Sequence, residues 1–330
     1  MLAKVTPAPG TEDKKALQRP PWLQRPAIIR AMRLPHQIAL LDHAGHSCLQ
    51  LQTRFGTAIV ALHGAHLLSW VPTGQRDVFW LSLQALLEPA PIRGGVPVCW
   101  PWFAKQGMPE SALQHGPARI VPWEISAIHD SSDDEVSLSL QPCAQADQDT
   151  RLAKLAPDLQ VSLRITLGKT LSQTLHTRNL GSQAFQLTQA LHSYFAVGNA
   201  AQVGIEGITG LSYQDKLSGM TTDIQRTAFA LDVACDRIYH HPSPDASAQS
   251  SHRYTLTDPL WQRSIMINTR GSQSVVVWNP GCEGARKIAD LPDDGWQDFF
   301  CIEAANAGPD VIALAPGAQH RLEQTLSIVL

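Results

Sequence analysis

The chain of 330 residues contains no apolar run of about 18 residues or more, so nothing in it reads as a transmembrane helix. Its first residues lack the apolar middle of a signal peptide. A cytoplasmic protein without a membrane partner is therefore expected. No G-x-x-x-x-G-K-[ST], G-x-G-x-x-G or G-x-S-x-G occurs, which removes the motifs of P-loop, dinucleotide-binding and nucleophile-elbow proteins. No cofactor is expected. The six cysteines (Cys48, Cys99, Cys143, Cys235, Cys282, Cys301) are scattered, with no C-x-x-C pair and no Cys/His cluster of zinc spacing. They read as reduced thiols, mostly in core positions, and no metal site is expected. A large excess of charge is lacking as well: the net charge of -3 gives no overall basic field, so nucleic acid is not an expected partner.

What remains is an ordinary globular composition, 44% hydrophobic and 17% charged, on a chain long enough to bury a large core. Residues 1–36 are basic and Pro-broken: Lys4, Lys14, Lys15, Arg19, Arg25, Arg30 and Arg33 face only Glu12 and Asp13. They read as an extension, poorly ordered or lying on the surface. From residue 37 to 330 a single domain is expected. Short apolar runs divided by turn residues fill it, at Phe55 to Leu62, Val136 to Leu140, Leu159 to Leu167, Thr170 to Thr177, Phe185 to Val197, Ser264 to Asn268, Val275 to Trp278, Phe299 to Glu303 and Gln319 to Val329. Convincing amphipathic helices are nearly absent, and no internal repeat is evident. The pattern predicts an all-β sandwich. His241 to Ser251, HPSPDASAQSS, reads as a surface loop.

The densest chemistry lies between Arg93 and Arg119, RGGVPVCWPWFAKQGMPESALQHGPAR. Arg93 and Arg119 each offer a planar fork that matches an anionic oxygen pair. Trp100, Trp102 and Phe103 offer flat faces to a ring-shaped ligand. Together they suggest a site for a phosphorylated sugar. Each residue also has an ordinary reading, the aromatics as core and the arginines as solvated charges.

Two later runs carry titratable groups. In Gln186 to Phe195 the two-residue period sets Thr188, Ala190, His192 and Tyr194 on the less apolar face. His192 is either a reactive imidazole or a histidine satisfied by backbone. In Asp293 to Glu303 an Asp-Gly turn feeds an apolar strand ending on Glu303. Desolvation there raises a carboxyl toward the range of a general base near neutral pH, unless the residue sits at an exposed strand end.

The segments IRGGVPVCWPWF, QHGPAR, ALHSYFAVG, CDRIYHHP, VVVWNPG and DLPDDGWQDFFCIEAANA, in this order, resemble the D-hexose-6-phosphate mutarotases (glucose-6-phosphate 1-epimerases), a branch of the aldose 1-epimerase group. The resemblance runs from about residue 37 to the C-terminus. It implies a large antiparallel β-sandwich of the galactose mutarotase type. It implies that His192 is the general acid and Glu303 the general base, on opposite sides of a cleft, opening and reclosing the ring of a hexose 6-phosphate, with glucose 6-phosphate as the foremost candidate. His192 would then begin protonated and Glu303 ionised, with desolvation of Glu303 only moderate. Asp236 and His115 resemble sugar ligands, and Arg93 and Arg119 phosphate ligands with Gln114 assisting. Ala104 and Pro117 depart from the usual pattern, which has Gly after the aromatic cluster and a bulkier residue after His-Gly. A mutarotase of unphosphorylated aldoses, or a non-catalytic carbohydrate-binding sandwich, is the alternative. The expected partner is a small sugar phosphate, bound by a monomer.

Overall fold

Leu159–Leu167 and Leu171–Asn179 illustrate how the two-residue period builds this protein. Leu159, Val161, Leu163, Ile165 and Leu167 are buried along the first strand, and Leu171, Gln173, Leu175, Thr177 and Asn179 along the second, while their neighbours stay partly or fully exposed. Each fully buried aliphatic side chain on such a face contributes about 1.5–3 kcal/mol relative to exposure. The coordinates are a computed structural model that describes residues 34–143, 152, 155–242 and 251–329. Residues 1–33 of the Pro-rich segment and 243–250 of the His241 to Ser251 loop lie outside the described residues.

Every strand pairing among the described residues is antiparallel. A four-stranded meander runs from Ile38 to Pro72. One eight-stranded sheet has the order Gly204–Glu206, Ser251–Asp258, Arg263–Arg270, Gln319–Val329, Leu171–Asn179, Leu159–Leu167, Val136–Pro142, Trp123–Ser131. A second eight-stranded sheet carries the chemistry. Its order is Thr221–Ile224, Ser212–Asp215, Cys235–His240, Ser274–Asn279, Phe299–Asn306, Gln189–Leu191, Val98–Cys99, and Tyr194–Ala196 also pairs with Phe299–Asn306. Among the described residues the helices with printed bounds are short turns such as the five-residue Gly281–Ala285. The described residues form an antiparallel β-sandwich with almost no helix, as the strand pattern predicts.

The run expected at Phe185 to Val197 as one strand is three short ones, Phe185–Leu187, Gln189–Leu191 and Tyr194–Ala196. Phe185–Leu187 leaves the sheet to pair with Ile312–Leu314. The other two share the strand Phe299–Asn306, all eight of whose residues are buried. Both faces of that strand are covered, which is why its sequence shows no polar alternation. The Asp-Gly turn before it opens a 3-10 turn at Gly295–Gln297 rather than feeding the strand directly.

A buried polar layer runs between the two large sheets, with bonds both across and within them. Trp100 Nε1 donates to Thr177 Oγ1 at 2.9 Å, and Gln189 Nε2 to Asn306 Oδ1 at 3.1 Å. Ser193 Oγ donates to Gln324 Oε1 at 2.9 Å, and Gln324 Nε2 to Gln173 Oε1 at 2.8 Å. Such fully buried bonds are costly to break because each orphaned partner loses its solvation. They hold the strands on either side of His192 and Glu303 in fixed register. Five of the six cysteines are buried and all six are free thiols.

Candidate active site

A cavity of about 230 Å³ opens on the second eight-stranded sheet, lined by Arg93, Phe103, Gln114, His115, Arg119, Lys216, Asp236, Val276, Trp278 and Glu303. Six of the seven residues expected at a site therefore share one cavity wall. The seventh, His192, touches Glu303, with Nε2 3.4 Å from Oε1.

The strand register explains this meeting. Gln189 to Leu191 pair with Asn306 to Ala304, and Tyr194 to Ala196 pair with Cys301 to Phe299. The same register carried through the interruption sets His192 opposite Glu303. Glu303 also pairs with Val276 on its other side, so it lies inside the strand and does not close it. The His192 ring stacks on Tyr194, with centroids 4.9 Å apart and planes at 12°, as side chains two residues apart on one strand face should. Trp80, Trp278 and Phe299 pack around that stack.

The two groups do not face each other across the cleft; they touch. Nor is the desolvation of Glu303 moderate, since only 1% of its surface is exposed and Oε2 has no hydrogen-bond partner. Burial pushes its pKa well above the usual carboxylate range, opposed by Lys216 and reinforced by Asp236. Burial pushes His192 well below the usual imidazole range, helped by the cations Arg119, Arg93 and Lys216. Both effects favour the neutral pair, a carboxylic acid beside a neutral imidazole. That pair and the carboxylate–imidazolium pair hold the same number of protons and differ by one transfer across the contact.

Arg93 enters the cavity from a Gly-Gly turn. Gly95 has φ +58°, and a Cβ there would lie 2.3 Å from Leu67 O, so glycine lets this turn press against the neighbouring strand. The guanidinium is already occupied: Nε donates to Asp290 Oδ1 at 3.1 Å and one terminal nitrogen to the Tyr194 hydroxyl at 3.0 Å. Arg119 differs. It donates to the carbonyl of Gln114 at 2.8 Å, and no carboxylate among the described residues pairs with it.

The loop between them is closed on itself. His115 N donates to Ala104 O at 2.7 Å, and Ala104 N donates to His115 Nδ1 at 3.2 Å. An acceptor Nδ1 leaves the proton of a neutral imidazole on Nε2, and burial, with Arg119 nearby, keeps His115 neutral by lowering its pKa. Both Ala104 (φ +51°) and His115 (φ +63°) are left-handed. The glycine that the resemblance gives as usual at position 104 would meet this backbone demand without strain. Of the aromatic cluster, only Phe103 lines the cavity. Trp100 and Trp102 are core residues whose indole N–H groups donate to Thr177 and to Leu113 O, so the expectation that they face a ligand ring does not hold. Trp278 supplies the second aromatic wall instead.

Asp236 has Lys216 Nζ 3.1 Å from Oδ1. Lys216, Trp278, Tyr194 and Asp290 carry no signal in the sequence that would mark them individually as site residues. Trp278, Tyr194 and Asp290 stand inside the family segments VVVWNPG, ALHSYFAVG and DLPDDGW or at their edge; Lys216 has no motif and no periodic signal. No cluster of three His, Cys, Asp or Glu suited to a metal occurs among the described residues, and no helix there is long and apolar enough to cross a membrane.

An antiparallel β-sandwich with a buried carboxyl–imidazole contact beside a small polar cavity is the arrangement that the resemblance to the mutarotases implies. Comparison with known proteins agrees: the family model "Aldose 1-epimerase" matches residues 47–327. This chain belongs to the aldose 1-epimerase family, and its activity class is the isomerisation of sugar rings. It is 35% identical over 256 residues to an Escherichia coli (strain K12) protein named "Putative glucose-6-phosphate 1-epimerase", covering 76% of this chain and 80% of the relative. A Salmonella typhimurium protein of the same name is 37% identical over 259 residues, with the same coverage. Among solved structures, Salmonella typhimurium YeaD superposes with a TM-score of 0.77 at 28% identity, covering 90% of this chain and 95% of that one. HI1317 shares the fold with a TM-score of 0.71 at 24% identity, covering 90% and 98%.

Proposed function

We propose that this protein interconverts the α and β anomers of a hexose 6-phosphate, with glucose 6-phosphate the foremost substrate. The observation that carries the reading is Arg119, a cation with no carboxylate partner among the described residues, in the same small cavity as Glu303, which His192 contacts. A phosphate dianion there gains charge-assisted hydrogen bonds worth roughly 1.5–3 kcal/mol each, which a neutral hexose does not.

The proton steps follow from the pair. Glu303 as carboxylate takes the proton of the C1 hydroxyl while His192 as imidazolium protonates the ring oxygen. The C1–O5 bond opens to the aldehyde, C1 turns by half a rotation, and the same groups reverse their roles on closure. Asp236 and the Nε2–H of His115 hold sugar hydroxyls. The phosphate also offsets Arg119 and Arg93, the cations that disfavour imidazolium at His192, so binding moves the pair toward its working form. A small-molecule partner and a cytoplasmic setting fit this chemistry.

One observation favours a second reading. Arg93 is held by Asp290 and Tyr194, which leaves Arg119 as the freer anion ligand and makes a mutarotase of unphosphorylated aldoses the alternative. Anomer exchange measured by NMR with glucose 6-phosphate and glucose side by side decides. A higher kcat/KM for the phosphate supports the first reading, and equal values overturn it.

A further inference from the structure

Lys216 follows the strand Ser212–Asp215 and is tied twice to Asp236: its N–H donates to Asp236 O at 2.9 Å, and Nζ lies 3.1 Å from Oδ1. Nζ also sits over the Phe103 ring, 5.1 Å from its centroid. The neighbouring acid Asp215 is engaged by Arg237 at 3.1 Å, so Asp236 is the carboxylate left for Lys216. Both side chains are mostly buried, 25% and 21% exposed, and both line the cavity with Glu303. A solvated surface lysine has none of these ties.

We propose that Lys216 is a positioning residue for the anomer reaction, its ammonium fixing the Asp236 carboxylate toward the sugar and serving as the counter-charge of Glu303 in its carboxylate form. The inference rests on the reading under Proposed function. Burial raises both carboxyls, and in each Lys216 is the first charge that opposes it. The other groups around Glu303 act differently. Asp236 raises it, and the thiols Cys99 and Cys301 and the phenol of Tyr194 are held neutral by burial. Arg93, Arg119 and Lys216 bear on the neutral His192 and His115, and Arg93 also grips Asp290. Removing the Lys216 charge favours the more protonated state of the His192–Glu303 pair at every step.

The test is the pH profile of kcat for glucose 6-phosphate anomer exchange in the full chain, for Lys216→Met, Lys216→Gln and Lys216→Arg. The neutral variants should move both limbs of the profile up by about one unit or more, lowering the rate on the acid side about tenfold, and Lys216→Arg should restore the limbs. Melting curves identify a variant that fails to fold, and the Gln variant then stands in for Met. Unmoved limbs in a folded neutral variant overturn this inference alone. Absence of exchange in the unsubstituted protein overturns the functional reading and this inference with it.

Discussion

His192 Nε2 and Glu303 Oε1 lie 3.4 Å apart, side by side across an interrupted strand pair, with only 10% and 1% of their side-chain surfaces exposed. At that separation neither group titrates alone, and the proton that one releases is available to the other. In the mechanism proposed above, the working state holds a single transferable proton between them, with the sugar completing the circuit.

Glu303→Gln and His192→Ala should each lower anomer exchange by about 10² to 10⁴, while melting behaviour stays near that of the unsubstituted protein. Groups that act as a unit are not additive, so the double variant should be no slower than the worse single one. Wild-type kcat should be bell-shaped in pH. Either single variant keeping close to full rate removes its residue from the acid–base pair.

Arg119 and Arg93 should separate binding from stability. Arg119→Ala removes a guanidinium with no acid partner among the described residues, so it should raise KM for glucose 6-phosphate by about 10-fold or more and leave glucose and the melting temperature nearly unchanged. Arg93→Ala also orphans Asp290, whose side chain is only 10% exposed. It should lower stability by about 1–3 kcal/mol as well. Equal weakening of glucose and its phosphate by Arg119→Ala would sink the phosphate assignment.

The fold was legible because antiparallel strands with one covered face write their period into the sequence, as Leu159–Leu167 does. Phe299–Asn306 was found by its apolar run, yet its centrality was hidden because covering both faces erases the period. His192 and Glu303 stood out as polar residues in apolar strands. Their contact did not, since register is a long-range property set by the polar layer between the sheets. Lys216 stayed invisible for a related reason: its partner Asp236 comes from another strand, and no local spacing encodes that pairing. Trp100 and Trp102 misled because an indole looks the same in sequence whether it faces a ligand or the core.

The loop that presents His115 should be sensitive at one position and tolerant at its neighbour. At Gly116, φ is +70° and an added Cβ would lie 2.0 Å from Trp100 O, so Gly116→Ala must displace the backbone that carries His115. Loss of about 2 kcal/mol or more is expected, with a rise in KM. Ala104 holds φ +51° at a cost glycine avoids. Ala104→Gly should therefore stabilise by up to about 1 kcal/mol and leave exchange rates unchanged, because the bond to His115 Nδ1 comes from its backbone N–H. Chemical denaturation of both variants checks the opposite signs.

His66 gives the protein an acid-sensitive brace behind Arg93. The residue is fully buried, Nε2 donates to Gly94 O at 2.7 Å and Nδ1 has no partner, so the neutral ring fits and a charged one does not. Burial lowers its pKa from 6.5 to about 3, against the raising effect of the Gly94 bond. Between those values the unfolded chain binds a proton that the native state refuses. Stability contributed by neutral His66 is thus complete above about pH 6.5 and falls as the pH drops toward 3, by up to about 1.4 kcal/mol per unit. His240, His241 and His320, each lowered to about 4 chiefly by burial, act in the same direction. The buried carboxyls Asp77 and Asp310, raised by burial above 3.8, lose their contribution as the pH rises and so oppose it near the acid end. His66→Gln should lower stability at pH 8 by about 1–3 kcal/mol yet flatten the dependence between about pH 4 and 6 by close to one proton. Denaturation curves for the two proteins that run parallel across this range would show that His66 takes up its proton in the folded state. In that case the turn delivering Arg93 to the cavity would tolerate a charged His66 behind it.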